Sequence, residues 1–186
     1  MKRDRHHHDY KSEAELCSFF AEYARAVGWK VFPETSDHDL LLVAGADVRT
    51  MGVDVGEQIG VQAKLLPNVE VLYQAMPHPH AKAGPNYHAI LVPRATQAFK
   101  VVAGRLGIIV FEATGGPKDE KTLERSVRNE LMALPSHLKT YYPALSWHPE
   151  IELWTQPGVP HQTSITPWKV GAVRLCMVGV ERGFLT

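Results

Sequence analysis

Ile59-Gly60-Val61-Gln62-Ala63-Lys64-Leu65 is the stretch on which the reading of this chain turns. Val61, Ala63 and Leu65 alternate with Gln62 and Lys64, the two-residue period of a strand with one polar edge. On such a strand Gln62 and Lys64 point to the same side. A second apolar run, Leu40-Leu41-Leu42-Val43-Ala44, is opened by Asp39. Paired as neighbours, the two runs bring a carboxylate, an amide and an ammonium together at a sheet edge.

Working outward, Ser12 is placed to cap a helix running to about Val27, with Glu13 and Glu15 in its first turn. Leu16, Phe19, Phe20, Tyr23 and Val27 share a face at helical spacing, and Gly28 ends the helix. Glu13 falls close to that apolar face, while Glu15 and Glu22 fall well off it. A carboxylate there either serves the helix dipole or reaches a site beneath the helix.

Trp29 to Pro33 reads as a first strand, which Pro33 restricts to a sheet edge or to its own end. Glu34 to His38 is turn-like. Gly45 to Gly56 reads as a hairpin connection, and Gln58 to Leu65 as the third strand. Pro67-Asn68 starts a short helix over Val69–Met76, and Tyr87–Val92 is a fourth strand. Thr96–Arg105 is a helix stopped by Gly107, and Ile108–Phe111 a fifth, buried strand. Strand, short helix and strand in that order suit a crossover between parallel strands.

The order and the residues together resemble the PD-(D/E)XK nuclease superfamily. His38-Asp39 stands where Pro-Asp is usual, and Gln62-Ala63-Lys64 where Glu-any-Lys is usual. Glutamine at that second position occurs in some branches, the Mrr-type restriction endonucleases among them. The resemblance covers residues 10 to 113 and implies a restriction-endonuclease-like core: a central mixed sheet flanked by helices, in the order αβββαβ. It implies Mg²⁺ or Mn²⁺ as cofactor and DNA as partner. Asp39, the amide oxygen of Gln62, the carbonyl of Ala63 and Glu13 become the metal ligands, an oxygen-only set that suits a hard cation. Lys64 becomes the group that positions the attacking water and stabilises charge on the phosphoryl oxygens.

Within the resemblance, Asp39 is preferred to Asp37 because it abuts its strand. Glu34 is an acid one step behind the site. The family often places a glutamate in the first turn of its first helix with a glycine about four turns later, as Glu13 and Gly28 stand here. Gln74 corresponds loosely to a glutamine that the VRR-NUC group carries after the lysine strand.

Composition narrows the function without choosing it. Lysine plus arginine and aspartate plus glutamate each total 20, so no global basic charge favours non-specific nucleic-acid coating. Arg94, Lys100 and Arg105 are candidates for phosphate contact or for a solvated helix face. Cys17 and Cys176 read as buried thiols in a reducing compartment. No apolar run is long enough for a membrane span, and the expected location is cytoplasmic. His6-His7-His8 lies in a charged tail over residues 1–9, and His78 and His80 in a proline-containing loop. Neither set has metal-site spacing with a further Cys or acid.

Beyond residue 113 the composition becomes rich in proline, histidine and tryptophan, an irregular extension over 114–163 within which Asp119–Ala133 has helical character. Residues 164–186 read as a C-terminal amphipathic helix, with Thr166-Pro167 at its start. That helix is the first part of a helix-turn-helix, a brace, or a homodimer contact. Two rivals to the nuclease therefore stand: a catalytically silent nuclease-fold module binding DNA or a protein, and a helix-turn-helix regulator.

Overall fold

The computed structural model describes residues 10–48, 53–76, 83–114 and 120–132, together with 134, 135 and 137. The expectations for residues 1–9, His78, His80 and the chain from 138 onward lie outside these residues.

The chain is α/β, with a five-stranded mixed sheet in the order β1-β2-β3-β4-β5. Helix α1 spans Glu13–Ala26, β1 Trp29–Thr35, β2 His38–Ala44 and β3 Gln58–Ala63. Then follow α2 (Val69–Ala75), β4 (Tyr87–Val92), α3 (Gln97–Arg105), β5 (Ile108–Glu112) and α4 (Glu120–Met132). The first three strands are antiparallel neighbours; β3, β4 and β5 are parallel. Helical crossovers supply the length that parallel pairing requires. Pro33 lies in β1, an edge strand, where its missing N–H is tolerated.

The helix caps follow the sequence signals. The side chain of Ser12 accepts from Glu15 N, that of Asn68 from Val71 N, and that of Thr96 from Phe99 N. Each satisfies one of the backbone donors that a helix start leaves without an intrahelical partner.

Both sheet faces are covered. On one, Ile59, Val61 and Ala63 join Leu40, Leu42, Leu91 and Phe111 beneath α1 and α4, which contribute Leu16, Cys17, Phe20, Val127 and Leu131. The Phe20 and Phe111 rings meet there, 5.3 Å between centroids. Tyr10 ties the start of this layer to its far end by donating to Ala113 O at 3.0 Å. On the opposite face Val71, Leu72 and Ala75 of α2 and Ala103 of α3 cover Ile90, Val92, Ile108 and Val110. Strand β4 is buried at every position, as a parallel strand with helices on both faces must be.

Two expectations change. Strand β3 is the centre of the sheet rather than a polar edge, and Gln62 on it is buried. The strand also ends at Ala63, so Lys64 stands just beyond it, although its N–H still reaches Leu91 O at 3.0 Å. The candidate residues therefore gather at the ends of central strands, where side chains leave the sheet while the backbone stays anchored on both flanks. Among the described residues no helix is long and apolar enough to cross a membrane.

Candidate active site

The hairpin that delivers Asp39 is under local strain. Thr35 pairs with His38, so the turn consists of Ser36 and Asp37, with φ of 55° and 63°. Two left-handed residues are what a type I′ hairpin demands, and neither is glycine. Glu34 is left-handed as well, at φ 46°. Non-glycine residues in this region cost on the order of 1 kcal/mol or more each and persist where the surrounding structure holds them.

Asp39 follows directly and is partly buried. Its Oδ2 accepts from Ala63 N at 2.7 Å, fastening the end of β3 to the start of β2. Burial pushes its carboxyl above the ordinary aspartate value, and the charge of Glu13 pushes the same way. The Ala63 N–H and the Lys64 ammonium oppose them. Asp39 is thus an anion held in a place that disfavours anions, with compensation that falls short.

Glu13 arrives from above, as the first residue of α1 behind the Ser12 cap. Its Oε2 lies 3.1 Å from Lys64 Nζ, and the two side chains are 27% and 29% exposed. This answers the question its helix position raised: Glu13 faces the ends of the strands. Cys17, one turn further along α1, is buried, and its thiol is pushed up first by burial and then by Asp39, Glu34 and Glu13, against Lys64. Its role is packing beneath the acids.

Gln62 donates from Nε2 to Asp37 O at 2.6 Å. Because a carbonyl can only accept, this contact fixes which way the amide faces and leaves Oε1 as the atom for a cation. The antiparallel register, with Leu40 opposite Val61, leads to Asp39 beside Gln62 along the backbone.

Four side chains named from the sequence stand elsewhere. Gln74 is exposed and donates to Glu70 at 3.4 Å, on its own helix. Arg94 and Arg105 are exposed. Lys100 is paired with Glu112, whose other oxygen accepts from Ala95 N at 2.6 Å.

One cluster escaped the sequence reading. The His38 ring lies flat against Gly60, where an added Cβ would stand 2.6 Å from it. His88, paired with Gly60 on β4, sits beside it with the two ring centroids 6.3 Å apart. His38 Nδ1 and His88 Nε2 are buried without a hydrogen-bond partner. Burial pushes both rings down to about 4, helped at His38 by His88, so both are neutral at pH 7. The ring spacing is wider, by about 1 Å, than that of two imidazoles on one tetrahedral zinc. Gly60 was the available signal: a glycine inside an apolar strand marks a close approach.

Among the described residues no three His, Cys, Asp or Glu side chains gather as a metal-ligand group. The candidate set is of a different kind: two carboxylates supplemented by amide and main-chain oxygen. That donor chemistry, and the under-compensated charge on Asp39, fit a hard divalent cation. No known family model, curated protein or solved structure matches the chain.

Proposed function

We propose that the chain is a divalent-metal-dependent nuclease of the PD-(D/E)XK type with a restriction-endonuclease-like core, hydrolysing DNA phosphodiester bonds. The observation that carries this reading is the convergence of Asp39, Glu13 and Lys64. They come from β2, α1 and the end of β3, and Asp39 feels the charges of the other two. The order αβββαβ from α1 to β4 agrees with such a core.

Asp39, Glu13, the Gln62 amide oxygen and the Ala63 carbonyl would hold Mg²⁺ or Mn²⁺. When bound, the ion supplies Lewis-acid polarisation of the phosphoryl group and a more acidic water. The chain's own residues do the rest. Asp39 keeps its place through the Ala63 N–H, and Gln62 holds the strained turn through Asp37 O. Lys64 offers an ammonium, which places a water for in-line attack and stabilises charge developing on the phosphate. Water attacks phosphorus, the P–O bond to the leaving sugar oxygen breaks, and a phosphate monoester and a free hydroxyl result.

One observation favours the silent binding module instead: glutamine at position 62 removes the charge an acid would bring. A single comparison separates the two. Labelled duplex, branched and single-stranded DNA are incubated with Mg²⁺, Mn²⁺ or EDTA. The enzyme reading expects cleavage with either metal and none with EDTA; cleavage that persists in EDTA removes the metal site. Lys64→Ala should lose cleavage and keep its fold, since a half-exposed lysine pair contributes at most about 1 kcal/mol. If Lys64→Ala cuts DNA like the parent, the role given to Lys64 is wrong; if DNA binds uncut in every metal, the binding module replaces the enzyme.

A further inference from the structure

From the pairing of Lys64 with Glu13 we infer that Lys64 is the internal counter-ion of the metal-free site, and that a divalent cation displaces it from Glu13 to make it available to substrate. The inference rests on the nuclease reading and adds an order of events to it.

The charges around the site set the argument. Two carboxylates, Asp39 and Glu13, lie near one ammonium, and among the described residues Lys64 is the cation that acts on Asp39. The ammonium does not sit on the more buried acid. It sits at 3.1 Å from Glu13 Oε2, while Asp39 is served by a backbone N–H. Lys64 therefore neutralises an acid that keeps 27% of its side chain exposed to solvent. Both partners retain solvent contact, so the pair separates without opening the core.

A divalent ion held by the same two carboxylates would be a second cation on a carboxylate that already carries one. Like charges at that range repel strongly where solvent is partly excluded. The ion has the higher charge and draws on Asp39 as well, so the ammonium yields. Lys64 stands just past the end of β3 with its N–H still bonded to Leu91 O. The backbone is thus held, and the motion required is that of a partly exposed side chain alone. An ammonium released in this way meets a phosphate only after the cation is in place, which keeps the empty site from holding DNA through Lys64.

The full chain, stripped with EDTA, is titrated with Mn²⁺ by calorimetry in the parent, Lys64→Ala, Lys64→Arg and Asp39→Asn. The reactivity of the Lys64 amine toward an acylating reagent is read by peptide mass spectrometry with and without saturating Mn²⁺. The expected results are Mn²⁺ affinity about tenfold higher in Lys64→Ala, near the parent's in Lys64→Arg, and Lys64 acylation that rises severalfold on adding Mn²⁺. Asp39→Asn should show no such rise, because the ion is not held. Affinity in Lys64→Ala equal to or below the parent's, or acylation that is unchanged or reduced by Mn²⁺, overturns the displacement and leaves the metal site standing. Absence of Mn²⁺ binding to the parent overturns the displacement and the metal-dependent reading together, so the two failures are told apart.

Discussion

At the scale of single residues, Asp39 carries a charge that its place in the fold disfavours. Its carboxyl is raised by burial, so the stability it contributes is full below the ordinary aspartate value and falls as pH rises through the folded one. At neutral pH the buried anion is a cost. Asp39→Asn removes the charge while its Oδ1 still accepts from Ala63 N. In metal-free buffer the variant should gain about 1 kcal/mol, the usual yield of relieving a functional site. That is about 2–4 °C in Tm for a chain of this size. Added Mn²⁺ should raise the parent's Tm and leave the variant's unchanged, and the variant should not cleave. A differential scanning titration checks both halves; a variant that melts below the parent in EDTA shows that Asp39 is a structural acid.

At the scale of elements, the meeting of β2, β3 and β4 is organised by Gly60. Alanine is normally the better strand residue, because glycine has more backbone freedom to lose. Here the sign reverses, since the new Cβ would stand 2.6 Å from the His38 ring, closer than a Cβ contact allows without a shift. Gly60→Ala should cost about 1–3 kcal/mol, as overpacking does. Because His38 adjoins Asp39, it should also lower cleavage more than its stability loss explains; urea denaturation and cleavage rates measured on the same samples decide this. The element order was legible because β2, β4 and β5 are apolar runs and α1 has a cap, a helical stripe and a terminal glycine. The place of β3 was not. Alternation of Val61 and Ala63 with Gln62 and Lys64 reads as a half-exposed strand, and only the sheet order shows both its faces covered. The Glu13–Lys64 pair was legible in part: helical geometry set Glu13 near the apolar face, but a partner 51 positions away leaves no local pattern. Likewise, nothing in the spacing of His38, Gly60 and His88 announces that they touch.

At the scale of the whole molecule, those two histidines contribute to the response to acid. Each ring is neutral in the fold with its value pushed down to about 4, against about 6.5 in an exposed chain. Between those values the unfolded chain binds protons that the folded chain does not, so stability rises with pH across this window and is lost as pH falls from about 6.5 toward 4. A depression of that size is on the order of 3 kcal/mol per ring, a large share of the ~5–15 kcal/mol that holds an average domain together. Asp39 shifts stability the opposite way, but it begins to titrate lower, from the ordinary aspartate value upward. Between pH 6.5 and 5 the two histidines therefore outweigh Asp39. His88 is the informative position, because it is 6% exposed with Nε2 buried and unpartnered. His88→Phe keeps a ring on the sheet, removes the orphaned nitrogen and cannot take up a proton. In urea denaturation at pH 7.5 and pH 5.0, the parent should lose stability markedly at the lower pH, and His88→Phe should lose clearly less. Parallel losses in the two proteins would mean that His88 is protonated alike in the folded and unfolded chain, and that the acid response arises elsewhere.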